Sequence, residues 1–428
     1  MTFKNYFSKT IPWIDPVDIA FNVYNNEQFM CFLYSSKITN ESYHSYIAYS
    51  PLKHLKSDQF ADTQNIDDDE WFGYLGYDLK NSLETLPIEE FSTNTLPSLW
   101  LIKYQFIIEF NHITNTAIFF YQQNFDEQYL KTTSIKLQNY QLKLLKSNMT
   151  KQEYLAKVQY IKNMIEQGVV YQANLTRKFF GEFDEKSNQE VNNFVVFKKL
   201  FLTSPSSYSA ILKFDKTDII SSSPELFLRV ANKQVITKPI KGTIKRESNK
   251  VKDAIQLETI QNSFKDKSEN LMIVDLMRND LAKVCEPESI QVPALFATAS
   301  FATLHHLYSE IIGKIAEPNN NLDLIKACFP PGSMTGTPKI KSIELCSTLE
   351  KYKRGVYSGC IGRISKNGNL ELSVVIRTLI INKGNFEFQV GGAIVYDSEP
   401  ISEWNETLVK AKAIAKVLGI SLNTLKGI

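Results

Sequence analysis

The residues with the clearest chemical potential lie at 237–246, where the run TKPIKGTIKR carries four positive charges around Lys241. A lysine amine attacks carbon only when it is held in place and partly deprotonated, which a surface side chain at its ordinary pKa is not. The local sequence offers such a hold. Val235, Ile236 and Thr237 are strand formers, Pro239 is excluded from a central ladder, and Gly242 accepts backbone angles closed to most residues. The pattern predicts a strand that ends in a sharp turn, with Lys241 on its rim. A solvated basic loop is the competing reading.

Other groups could complete a reaction centre. Glu269 sits in a helical stretch, and Glu403, Glu406 and Lys410 recur at three- and four-residue steps near the C-terminus. Carboxylates so spaced share a helix face, where they are commonly just solvated; if Glu269 joins them, the set suits Mg²⁺ held together with an anionic substrate. His305 and His306 adjoin in a strand-like segment, where a structural role is the ordinary one. Arg377, read as a strand residue, Gly391 with Gly392, and the turn at 330–338 that opens a helix all favour anions. Together they point to a substrate with more than one carboxylate, without fixing the reaction.

The elements that must position these groups read as an α+β fold, a single large domain. Residues 1–140 form its strand-rich N-terminal part, with aromatic runs at 29–34 and 99–121, an exposed acidic loop at 53–70, and Gly73 and Gly76 in close backbone packing. Residues 141–428 form the rest of the same compact domain. A capping box at Thr150 and Glu153 opens a helix that Gly168 ends, and the strand at 169–176 puts Gln172, Asn174 and Thr176 on one face. A second capping box at 187–190 opens a helix to about residue 202. Strands follow at 207–214 and 219–230, then a helical stretch over 252–283 with a break, and strands at 289–296 and 304–315. Helices end at Cys328 and span 339–352, strands lie at 356–364, 370–381 and 386–396, and the helix at 402–418 buries Ile401, Trp404 and Leu408.

Composition narrows the class. A hydrophobic content of 43%, a charged content of 22% and a net charge of +2 fit a soluble globular protein and argue against nucleic acid as partner. No signal-peptide core or bilayer-long apolar run occurs, so a cytoplasmic protein without membrane association is expected. The five cysteines are spaced as buried free thiols, not as disulfides or a zinc site.

The runs PIKGT at 239–243, ENLMIVDLMRND at 269–280, GSMTGTPK at 332–339, IRT at 376–378 and GGAIV at 391–395, followed by Glu406 and Thr407, occur in order. With them the chain resembles the chorismate-utilising enzymes over residues 147–418, and among these most closely the aminodeoxychorismate synthase component I branch, related to anthranilate synthase component I. The first 140 residues match only loosely. The resemblance implies two large β-sheets packed together with helices outside, and Mg²⁺ on Glu269 and Glu406, with Glu403 on the same helix face. The amides of Gly391, Gly392 and Ala393, with Thr243, would seat the ring carboxylate of chorismate, and Arg377 and Tyr357 its enolpyruvyl carboxylate. Lys241 would add at ring C2 while Glu225 protonates the departing C4 hydroxyl, and ammonia would then enter at C4. His306 and Ser333 match positions near the ring and leaving group, and Lys410 one near the metal.

Lys241 stands where anthranilate-forming relatives usually carry alanine, and Gln172 where isochorismate- and salicylate-forming relatives carry a water-activating lysine. Both favour amination on the route to 4-aminobenzoate and folate. The resemblance also implies ammonia from a separate glutamine amidotransferase subunit, and a segment at 32–36 that makes tryptophan a candidate ligand. Pro331, Ser333 and Thr337 depart from the commoner residues of the family. Two competing readings are anthranilate synthase component I and a non-catalytic chorismate- or tryptophan-binding regulatory subunit.

Overall fold

The computed structural model describes residues 5–137, 140–184, 192–300 and 304–428. Among these, strands join in a 20-stranded hydrogen-bonded network. Its organising member is Leu99–Asn111. One edge of that strand is covered by His44–Ser57; the other pairs with Trp71–Leu75 near its start and with Thr116–Tyr121 near its end. Two antiparallel sheets diverge from it.

The first sheet continues from His44–Ser57 through Phe29–Tyr34, Tyr208–Phe214, Thr217–Ser223, Thr378–Asn382 and Asn385–Ile394 to Gln172–Phe183. The second runs from Trp71–Leu75 through Cys360–Ile364, Leu370–Val374, Leu226–Ala231 and Gln234–Lys238 to Leu304–Lys314, with Gln291–Ser300 beyond. Side chains alternate as strand geometry requires. Met30 and Phe32 belong to the core under the helices, whereas Cys31, Tyr46, Ala48, Tyr74 and Trp100 fill a separate core shared by strands of both sheets. Helices Lys151–Glu166 and Pro400–Val417 cover the outer face of the first sheet through Tyr154, Val158, Trp404 and Leu408. Helices Phe264–Ala282 and Asn321–Cys328 cover the second through Ile273, Met277, Leu324 and Ile325. This is the expected α+β arrangement of two packed sheets with helices outside. Gly73 faces Gly362 across the seam, and a Cβ at Gly73 would sit 2.1 Å from the Trp100 carbonyl oxygen, so only glycine allows that approach.

Most predicted elements are present, and the five cysteines are buried and free. The Thr150 and Glu153 capping box is formed, and Ser263 caps the second of the two helices in 250–282 at the expected break. Four readings are corrected. The chain does not turn away after Thr237; Ile240–Lys245 continues along the same partner strand, with a bulge at Gly242, whose φ is 78°. The acidic stretch at 53–70 is not a free loop: His44–Ser57 extends into it, and Asp69 and Glu70 are buried against Lys103 and Arg363. The segment 370–381 is two strands in different sheets, because the chain crosses over at Val375 to Arg377. Ile401 is exposed. Helix Asn193–Thr203 is capped by Asn192; the capping box at 187–190 lies outside the described residues.

A buried ion pair fixes where these elements meet. Arg354, 1% exposed, donates two hydrogen bonds to the Glu350 carboxylate, each 2.8 Å long. It also donates to the carbonyls of Asn174 at 2.7 Å and Met334 at 2.8 Å, and to the Ser358 hydroxyl at 3.3 Å. Glu350 in turn accepts from the Thr176 amide at 2.9 Å. One guanidinium thus ties together the strand carrying Gln172, the turn carrying Ser333 and the loop carrying Tyr357. Removing one member of such a pair leaves the other charge buried, so Arg354→Met is expected to cost about 3–5 kcal/mol in urea unfolding. Adding Glu350→Met should recover part of the loss, and a single variant as stable as the parent would exclude this role.

Candidate active site

The candidate residues are placed by the two points where the chain passes between sheets. Thr217–Ser223 belongs to the first sheet and Leu226–Ala231 to the second, and Glu225 lies in the passage between them. Leu370–Val374 and Thr378–Asn382 make the reverse passage, with Arg377 inside it. The passages run side by side: Val374 donates to the Glu225 carbonyl at 3.0 Å, and Ser222 donates to the Arg377 carbonyl at 3.2 Å. Arg377 adopts φ 51°, a left-handed conformation uncommon for a side-chain-bearing residue, as the crossover demands.

Glu225 is buried, and burial pushes its carboxyl up to about 6 against the opposing pull of a Ser333 hydrogen bond and the charges of Lys241 and Lys410. This carboxyl holds a proton at a pH where most carboxyls have lost theirs. Lys241 projects from the strand opposite, its amine 4.0 Å from Glu269 Oε2. His306 is buried, and burial together with the charges of Arg377 and Lys37 lowers its imidazole to about 4, so it is neutral near pH 7. His305 instead bonds Asp253 at 3.1 Å and Ser300 at 2.8 Å and is structural.

The acidic residues converge from two helices. Glu269 comes from Phe264–Ala282, and Glu403 and Glu406 from Pro400–Val417. Lys265 lies between them, 3.9 Å from Glu269 and 3.4 Å from Glu403. Lys410 contacts Glu406 and the Gly391 carbonyl, each at 2.7 Å. Burial and the nearby Glu406 raise Glu269, and Lys241 and Lys265 oppose them; at Glu406 burial is outweighed by Lys410, Lys265 and Lys241 together, which hold the carboxyl below its ordinary value.

These donors fit Mg²⁺ in type and surroundings. They are hard oxygens, and Glu403 Oε2 is buried without a hydrogen-bond partner. Gly392 borders them: a Cβ there would lie 3.1 Å from that oxygen and 3.6 Å from Glu406 Oε1. Among the described residues no trio of His, Cys, Asp or Glu side chains is already gathered as a metal site, because lysines stand between these carboxylates. Magnesium needs only one or two protein carboxylates when water and substrate supply the rest.

Gly391, Gly392 and Ala393 pair with Thr176, Leu175 and Asn174, beside Gln172. Gln172 is wholly buried, yet neither end of its carboxamide has a partner, a state that calls for a polar ligand. Tyr357 is buried, with its hydroxyl pushed up by burial. Thr243 pairs with His306 through the backbone, and its side chain lies outside the described residues.

One expectation does not hold in place. The helix after the turn, Lys339–Glu350, begins on a separate cavity of about 990 Å³ lined by Asp280, Lys283, Lys339 and Tyr171, away from Lys241. Lys339 there is spent on Asp280 at 2.6 Å and on the carbonyls of Cys328 and Pro330. Residues 33–35 line a narrow space of about 20 Å³ between the sheets. Sequence reasoning missed Lys37, half-buried near Arg377, where burial and that charge lower its amine to about 8. It also missed Lys265, whose four-residue offset from Glu269 was the available signal.

A fold of two packed sheets whose crossovers present a protonated carboxyl, an arginine and a ring of carboxylates defines an enzyme built for a small polyanion. Residues 20–416 match the family described as chorismate binding enzyme, and the chain belongs to that family. It is a chorismate-utilising enzyme. It is 33% identical over 349 residues to aminodeoxychorismate synthase component 1 of Klebsiella aerogenes, covering 80% of this chain and 75% of that protein. It is 31% identical over 362 residues to anthranilate synthase component 1 of Lactococcus lactis subsp. lactis (strain IL1403), covering 81% and 78%. The crystal structure of anthranilate synthase component I from Streptococcus pneumoniae TIGR4 superposes with a TM-score of 0.76 at 25% identity, over 88% of this chain and 93% of that one.

The raised Glu225 carboxyl has a signed consequence. The folded state keeps a proton that the unfolded state releases between the ordinary value near 4.5 and about 6, so stability is lost as pH rises through that window. Glu225→Gln removes this term and should be more stable than the parent at pH 8, by up to about 2 kcal/mol. The advantage should vanish near pH 4. Equal urea midpoints at both pH values would contradict the buried, protonated carboxyl.

Proposed function

We propose that this enzyme aminates chorismate at C4 to give 4-amino-4-deoxychorismate, with Lys241 as a transient nucleophile. The observation that carries the proposal is the Lys241 amine 4.0 Å from Glu269 and close enough for its charge to act on the buried Glu225 carboxyl, which itself bonds Ser333. Lys241 forms a bond to ring C2 as the C4 hydroxyl leaves; Glu225 gives that hydroxyl its proton, and it departs as water. Ammonia then bonds to C4, and the C2–lysine bond breaks. Mg²⁺ bound through Glu269 and Glu406 would supply positive charge against the ring carboxylate, with Glu403 beside them.

The remaining residues orient the substrate. Arg377, with Lys37 adding charge, and Tyr357 suit the enolpyruvyl carboxylate; Gly391, Gly392 and Ala393 leave the amide approach open for the ring carboxylate. Gln172 offers its unpaired carboxamide as a neutral hydrogen-bonding partner where a lysine would activate water. His306, neutral, is a positioning group and not an acid. The component 1 names of the relatives support a glutamine amidotransferase subunit as the source of ammonia. Similarity to the Lactococcus relative favours a second reading, C2 amination with loss of pyruvate; Lys241 weighs against it.

Chromatography with mass spectrometry on a mixture of the chain, chorismate, Mg²⁺ and ammonium tests this directly. The expected product retains the enolpyruvyl group and gives 4-aminobenzoate when a lyase is added; anthranilate with pyruvate would overturn the proposal. Lys241→Ala should sharply slow this product, and Glu225→Gln should slow it about 10²–10⁴-fold. Unchanged formation by Lys241→Ala would exclude the covalent role.

A further inference from the structure

Three lysines stand among the three carboxylates, and they are not equivalent. Lys410 is held twice, by Glu406 and by the Gly391 carbonyl, each at 2.7 Å. Lys241 is enclosed, with a side chain 13% exposed. Lys265 alone among them bridges carboxylates of different helices, at 3.9 Å from Glu269 Oε1 and 3.4 Å from Glu403 Oε1. Joining these two helices through their carboxylates is also what a bound divalent cation would do.

Its contacts are loose. Charge-assisted hydrogen bonds lie near 2.7–2.9 Å, and neither Lys265 distance reaches that range. Its side chain is 46% exposed, so the ammonium can move into water, while Glu403, 2% exposed, keeps a charge that another cation must then meet. Glu403 Oε2 stays unpaired even with Lys265 present, so the lysine neutralises the acidic pair without saturating it. Lys265 also lies in the first turn of its helix, beside the exposed Phe264, where little packing resists its movement.

We propose that Lys265 is a tethered counterion that, from its place between Glu269 and the neighbouring Glu403, competes with a metal held by Glu269 and Glu406 and yields when metal and substrate arrive together. The inference rests on the reading of Glu269 and Glu406 as the Mg²⁺ ligands. Without substrate, a divalent cation must displace an ammonium that is always at hand, so binding is weak. Chorismate brings carboxylate charge of its own, which favours the doubly charged ion over the single charge of lysine. Lys265 thereby couples metal binding to substrate binding and keeps the carboxylates from mutual repulsion in the resting enzyme.

The test is calorimetric titration of the full chain with Mn²⁺ in the absence of chorismate, for the parent, Lys265→Gln and Lys265→Arg. Removing one ammonium about 4 Å from the site should tighten Mn²⁺ about tenfold in Lys265→Gln. Lys265→Arg, which keeps the charge, should bind as the parent does. Saturating chorismate should tighten Mn²⁺ in the parent and add less in Lys265→Gln. A merely structural ion pair predicts the opposite, equal or weaker Mn²⁺ binding with a lowered unfolding midpoint, and that result would overturn the proposal while leaving the metal site intact. Should Mn²⁺ heats be absent for all three proteins with chorismate present, and product form undiminished in chelator, the metal reading fails and the proposal with it.

Discussion

The salt bridge between Arg354 and Glu350 is the constraint on which the site depends. Neither group can be hydrated, and the desolvation cost of the pair is offset only because every polar atom facing inward finds a partner. Those partners are mostly backbone atoms of segments far apart in sequence. The pair therefore acts less as a source of stability than as a gauge: the strand of Gln172, the turn of Ser333 and the loop of Tyr357 must stand at set distances for it to close. A hydrophobic substitute of equal volume could fill the space, but it would not specify those distances.

The same economy governs the reaction centre. The side chains placed there are in electrostatic states that the fold would not choose for stability alone. Burial raises the Glu225 carboxyl to about 6, His306 is neutral by burial among cations, and the Gln172 carboxamide is buried without partners. Each is a deficit that a bound polyanion, with its hydroxyl and carboxylates, would relieve. Arg377 adds backbone strain to the same account. Such deficits are tolerable because the surrounding sheets, cross-tied at the two adjacent passages, leave the chain no neighbouring arrangement in which to relax.

Much of this was legible in the sequence, and the boundary is physical. Period-two alternation and capping residues disclosed most strands and helices, since those signals are local. The spacing of Glu403, Glu406 and Lys410 disclosed a shared helix face for the same reason. What remained hidden depends on tertiary placement. Nothing local distinguishes Glu350 and Arg354 at four-residue spacing from a solvated surface pair, and only burial makes them structural. Lys37 reaches the site from a segment some 340 residues distant from Arg377 in the chain. Arg377 read as a strand residue because both flanking runs are strands; that they belong to different sheets is invisible to periodicity. The supposed turn at Pro239 failed similarly, since a bulge and a turn share the same residues.

The strand Leu99–Asn111 belongs to both sheets, and with its neighbours it closes the free edges of Tyr208–Phe214 and Cys360–Ile364. The first 140 residues thus contribute main-chain hydrogen bonds at these edges as well as side chains such as Met30, Phe32, Tyr74 and Trp100 to the cores. Without them each of these two sheets would end in a bare edge, open to pairing with another chain in a crowded solution.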